Sequence, residues 1–132
     1  YREYRCDSKK RSRQKTDQEY ADDLLAFMGK EQCTVLVDPS AASFIAELKS
    51  RGLLVKAANN DVLDGIRKTA TLFQRRRLMI NRDCEGLREE LGSYLWDEKA
   101  SARGEEKPVK QYDHAPDALR YYVNSLPLWR FE

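Results

Sequence analysis

The chain has 132 residues, 41% hydrophobic and 35% charged, with 24 basic and 22 acidic side chains and a net charge of +2. A single domain's length with that apolar content excludes a globally disordered chain, and so small a charge excess does not by itself predict a nucleic-acid partner. The cysteines Cys6, Cys33 and Cys84 are far apart and form no C-x-x-C pair, which argues against a zinc site and for a reduced, intracellular protein.

The chain opens abruptly on Tyr1-Arg2-Glu3-Tyr4-Arg5-Cys6, an alternating run that reads as a strand already under way. The expectation is that this is the rear part of a longer polypeptide. A basic loop follows over 7–15, with Lys9, Lys10, Arg11, Arg13 and Lys15. Thr16-Asp17-Gln18-Glu19 has the spacing of a capping box, so a helix should start there. Its inward face would carry Tyr20, Leu24, Phe27 and Met28, and Gly29 would cap its end. Cys33 to Val37 is short, apolar and β-branched, which predicts a buried strand with Cys33 inside it. It ends at Asp38-Pro39.

A second helix is expected over 41–51, with Phe44, Ile45 and Leu48 inward and Gly52 as its stop. Leu53–Ala57 reads as a second short strand. Asp61 should cap a third helix running to Gln74, with Val62, Ile66, Thr69 and Phe73 on one face. Arg77–Asn81 reads as another strand. A fourth helix is expected from Cys84 to Trp96, with Leu87, Leu91, Tyr94 and Leu95 inward. Residues 97–111 are polar, with Gly104 and Pro108, and read as a loop. The last helix is expected over 115–126, carrying the apolar stripe Leu119, Tyr122, Val123 and Leu126 and ended by Pro127. Leu128-Trp129-Arg130-Phe131 forms a tail that docks or leads onward. Alternation of this kind means an α/β layer structure with a mostly parallel sheet.

Two stretches carry chemistry. Asp38 stands at the carboxyl end of a predicted strand, where open α/β sheets place their ligands. Tyr112-Asp113-His114-Ala115-Pro116-Asp117 sets the sole histidine between two carboxylates at a helix start, where Pro116 suits the first turn. Positions three or four apart share a helix face, so His114 with Asp117, or Asp113 with Asp117, can point the same way. The two stretches are read as meeting to hold a metal. Carboxylate oxygens suit Mg²⁺ or Mn²⁺, with Asp38 and Asp117 as the expected ligands, Asp113 as a further candidate and His114 beside them. Each has a structural alternative. Taken alone, Asp38 reads first as a turn residue and Asp117 as a charge favouring its helix's positive end, while His114 also suits a hydrogen-bonder at that end. The arginines Arg75, Arg76, Arg77 and Arg82 form a second basic run; both basic runs suit a phosphate backbone or a solvated surface equally. No phosphate-binding G-x-x-x-x-G-K-[ST], nucleophile elbow or dinucleotide fingerprint occurs. Asp61–Gly65 has the wrong spacing for a calcium loop.

Three motifs, Val37-Asp38-Pro39-Ser40-Ala41-Ala42-Ser43-Phe44, Ala57-Ala58-Asn59-Asn60-Asp61 through Ile66, and Asp113-His114-Ala115-Pro116-Asp117-Ala118-Leu119-Arg120-Tyr121, resemble the C-terminal nuclease domain of tailed-phage large terminases. Their order and separations match too, as does the Leu-, Glu- and Tyr-rich stretch Glu85 to Trp96, and the likeness runs from residue 1 to about 125. The resemblance implies an RNase H-like fold: a central mixed sheet flanked by helices, with residues 1–132 as one nuclease domain whose first two strands are missing. It implies a hydrolase that cuts concatemeric double-stranded DNA on two Mg²⁺ or Mn²⁺ ions during packaging. Asp38 would be the second acidic ligand, Asp117 the third and His114 an auxiliary residue. The family's first acidic ligand has no match here, and neither does its packaging ATPase domain. Lys56, Lys9, Lys10, Arg11 and Arg13 are candidates for DNA contact. The resemblance also implies the terminase small subunit and the portal protein as partners, and the host bacterial cytoplasm as the location. No apolar run approaches the roughly 18 residues of a membrane span. Two rival readings stand beside the nuclease: a non-catalytic module that binds DNA or a portal partner, and another RNase H-like nuclease such as a junction resolvase.

Overall fold

The computed structural model describes residues 2–4, 14–92 and 114–131. They divide between two compact units, one of Tyr4–Ala58 and the other of Tyr1–Glu3 with Asn59–Glu132. The chain is α/β, with a two-stranded parallel sheet.

In the first unit, helix α1 spans Asp17–Met28. Thr16 caps it: its hydroxyl accepts a hydrogen bond from the Glu19 amide at 3.2 Å, as the capping spacing predicts. Gly29 ends the helix with a φ of 62°, a conformation that a side chain would resist. Strand β1 is Val35–Val37, helix α2 is Ala42–Ser50, and strand β2 is Val55–Ala57. Val35 lies opposite Val55, Leu36 opposite Lys56 and Val37 opposite Ala57. A connection of seventeen residues holding α2 is what lets two adjacent strands run parallel. The core is built from Ala21, Val37 and Leu48, with Leu24, Val35, Ala41, Phe44, Ile45, Leu53 and Val55 packed around them. Arg51 ties α2 to α1, donating to Asp22 at 2.6 Å and to Glu47 at 2.9 Å.

In the second unit, helix α3 is Val62–Gln74, helix α4 is Glu85–Gly92, helix α5 is His114–Asn124, and a 3₁₀ turn spans Leu128–Phe131. Asp61 caps α3, accepting from the Asp64 amide at 3.0 Å. Glu3 caps α4 from far upstream: its two carboxylate oxygens accept from the amides of Gly86 and Leu87 at 2.9 and 2.8 Å. A carboxylate at a helix N-terminus satisfies free amides and the helix dipole together. The 3₁₀ turn packs on α3.

Several expectations are corrected. Residues 2–4 and 77–80 are not strands. The apolar run Leu78-Met79-Ile80 has strand propensity, but propensity needs neighbouring strands to pack on, and Met79 is instead 86% exposed. Cys33 lies outside β1 and is exposed; Cys84 is buried. On α3, Leu72 and Gly65 are buried while Phe73 is exposed. On α5, Arg120 and Val123 are buried, and Tyr122 is 48% exposed. Cys6, Tyr94, Leu95, Trp96 and the loop 97–111 lie outside the described residues.

Candidate functional site

Asp38 follows β1 directly. The strand stops there because Asp38 Oδ1 accepts from both the amide and the hydroxyl of Ser40, at 2.9 and 2.8 Å. The Asp38 carbonyl accepts from the Ala41 amide at 3.0 Å. This is an Asx-type turn, a local pattern that aspartate supports with its own carboxylate. The side chain is half-buried at the carboxyl end of a parallel strand. Its turn-forming role is therefore real, and it coexists with a position suited to ligand binding.

Asp117 lies in the first turn of α5, three residues after His114, which is exposed. Helix spacing puts the two on one face. The Asp117 side chain is 22% exposed and pairs with Arg120 at 3.4 Å. Arg120 is only 4% exposed, an uncommon burial for a permanent charge. Its Nη2 donates to Asn60 Oδ1 at 2.7 Å, and its guanidinium lies 5.4 Å from the Tyr121 ring centre. One turn further along α5, Asn124 Nδ2 donates to the carbonyls of Asn59 and Asp61, both at 3.1 Å. Two polar side chains of α5 thus grip the Asn59–Asp61 segment. Gly65 makes the approach possible: a Cβ there would lie 2.3 Å from Arg120 Cγ and 2.9 Å from Asn124 Nδ2.

The start of α5 is held as well. Glu90 of α4, 6% exposed, accepts from the Ala115 amide at 2.8 Å. Asp117 therefore sits on a helix fixed at its first turn by Glu90 and along its inner face by Arg120 and Asn124. Sequence reasoning missed Glu90, Gly65, Asn60 and Arg120. The one available signal was a charge at Arg120 inside an apolar helical stripe. Glu90 gave none, because a glutamate in a Glu-rich helix reads as solvated.

The expected ligands are divided between the two units: Asp38 belongs to one, His114 and Asp117 to the other. Asp113 and the basic residues Lys9, Lys10, Arg11 and Arg13 lie outside the described residues, while Lys56 is exposed on β2. The carboxylate donors fit a hard divalent cation in kind. Among the described residues no three His, Cys, Asp or Glu side chains gather as a metal site; Asp113 lies outside them. Nor is any described helix long and apolar enough to cross a membrane.

No family model matches the chain. A search of curated proteins finds the large terminase subunit of Escherichia phage T5, 33% identical over 96 residues. That match covers 70% of this chain and 22% of the T5 protein. Among solved structures, the large terminase of a thermophilic bacteriophage in complex with ADP matches with a TM-score of 0.91 and 50% identity, over 95% of this chain and 32% of that one. The same thermophilic-phage protein in complex with ATP-γ-S matches with a TM-score of 0.90 at the same identity and coverage. The chain thus spans about a fifth of the T5 protein and a third of the thermophilic-phage protein.

Proposed function

The chain is a homologue of the phage large terminases, and we propose that it is their DNA-cutting module, a Mg²⁺- or Mn²⁺-dependent endonuclease with an RNase H-like fold that acts on concatemeric double-stranded DNA during genome packaging. The observation that carries this reading is the 50% identity over 95% of the chain. The V-D-P-S-A-A and D-H-A-P-D-A-L-R-Y motifs supply the residues. Asp38 and Asp117 are proposed as two of the carboxylate ligands, with Asp113 as a further candidate and His114 as an auxiliary group. When bound, divalent ions of this kind supply Lewis acidity and an activated water for phosphodiester hydrolysis.

The chain's own part lies in presenting carboxylates on fixed elements. β1 and the Asx turn set the direction of Asp38, and the Arg120 pair restrains Asp117. Partners proposed on the same basis are double-stranded DNA, the terminase small subunit and the portal protein, with the host bacterial cytoplasm as the setting.

One rival is a non-catalytic module that binds DNA or the portal. An assay separates the readings. Supercoiled plasmid, linear duplex and branched DNA are incubated with the chain in Mn²⁺ and in EDTA. The nuclease reading expects Mn²⁺-dependent cutting of plasmid and linear duplex. Binding without cutting would support the non-catalytic module, and preference for branched DNA would support a resolvase.

A further inference from the structure

Helix α3 ends on three successive arginines. The Arg77 amide donates to the Leu72 carbonyl at 2.9 Å and the Arg76 amide to the Phe73 carbonyl at 3.0 Å. This is the Schellman ending, whose left-handed position is normally taken by glycine. Here that position holds Arg76, with a φ of 55°, the one positive value at a non-glycine among the described residues. An L side chain is strained in that conformation, and strain of this sort clusters at functional sites. The Arg76 side chain is exposed. Its packing therefore does not account for the choice.

The flanking arginines show what the turn assembles. Arg75 donates to the Phe131 carbonyl, and Arg77 donates to the Arg130 carbonyl at 2.8 Å. Lys68 of α3 stacks 5.5 Å from the Phe131 ring centre. These contacts dock the 3₁₀ turn onto the end of α3 and bring the backbone of Arg130 to the arginine run, across 53 residues of sequence. Neutral carbonyl acceptors satisfy guanidinium donors but cancel no charge. Among the described residues no carboxylate pairs with Arg75, Arg76 or Arg77, so three positive charges share one turn.

We propose that the Arg75–Arg77 turn is a contact surface for the phosphate backbone of double-stranded DNA, one that includes neither Asp38 nor Asp117. It rests on reading the chain as a DNA-handling module, but not on the strand being cut. Guanidinium forks match phosphate oxygens, and a duplex presents closely spaced negative charge along its axis. A phosphate contact gives Arg76 a role that glycine, which would relieve the strain, could not fill.

The test is duplex binding in EDTA, where nothing is cut, followed by fluorescence anisotropy over a series of salt concentrations. The wild-type chain is compared with Arg76→Gly and with Lys49→Ala, an exposed lysine on α2 that controls for loss of one charge. Thermal unfolding is measured on each. Arg76→Gly should melt about 4 °C higher, since the left-handed strain is gone. It should also flatten the slope of log affinity against log salt by about 0.9, the loss of one phosphate contact. Lys49→Ala should leave the slope unchanged. A gain in stability with a loss of DNA affinity is a split that a purely structural arginine would not give. Wild-type binding with the same slope in Arg76→Gly, or an equal loss in Lys49→Ala, would overturn the surface alone. No duplex binding by the wild-type chain would overturn the surface and the DNA-handling reading together.

Discussion

Arg120 and Gly65 are a pair that neither local propensity nor hydrophobic pattern could foretell. Glycine within a helix is unfavourable by about 1 kcal/mol relative to alanine, yet here α3 carries one opposite a buried arginine. The absent Cβ is the space that the Arg120 stem fills. Gly65→Ala should therefore destabilise the chain despite its better helix propensity, by about 1–3 kcal/mol as an overpacked contact. Urea unfolding measures it, and an unchanged or raised midpoint would contradict the close packing of α3 on α5. Asp38 differs in kind. Its carboxylate holds two local bonds to Ser40, so its loss should cost the turn about 1 kcal/mol and leave the fold standing.

At the scale of elements, what was legible in the sequence was what is local. Thr16 with Glu19, Asp61 with Asp64 and Gly29 each encode a helix end within four residues, and each cap is where the spacing puts it. Thr16→Ala should cost about 1 kcal/mol of stability, read from denaturant unfolding. What depends on distant partners was not legible. Residues 77–80 have the composition of a strand without being one, and Glu3 reaches across more than eighty residues to cap α4. On α3 the buried positions are Gly65, where α5 approaches closely, and Leu72, while Phe73 is exposed. Tyr4 makes a related long-range contact. Its hydroxyl donates to Asp23, and that bond, with some desolvation, raises its pKa above 10.0. A group whose pKa is raised by folding stabilises the protein below its unfolded value, and the contribution fades as pH climbs through the folded value. The stability gap between wild type and Tyr4→Phe should accordingly narrow in unfolding curves taken from about pH 9 to pH 12. A gap constant across that range would mean that the Tyr4–Asp23 bond contributes nothing.

At the scale of the whole molecule, motifs rather than spacing identified the chain's relatives. Asp38 at a strand end and Asp117 at a helix start each have an ordinary structural explanation, and the structure supplies it in both cases. Only their joint order with the Ala57–Ile66 segment resembles a family, and the homology to phage large terminases bears that out. The structure adds the framework that holds those residues: an Asx turn for Asp38, and Glu90, Arg120 and Asn124 for the helix of Asp117. Removing Asp38 loosens only a local turn, whereas removing Asp117 takes the ion-pair partner from the buried Arg120 and costs stability, so each variant is compared only once its fold is verified. The most direct measurement is plasmid nicking in Mn²⁺ by the wild-type chain, Asp38→Ala and Asp117→Ala, with circular dichroism confirming that each is folded. Cutting by wild type should fall at least about 100-fold in either variant, the upper end of what loss of a group that merely orients a metal ligand costs. Undiminished cutting by folded Asp38→Ala or Asp117→Ala would contradict the ligand assignment.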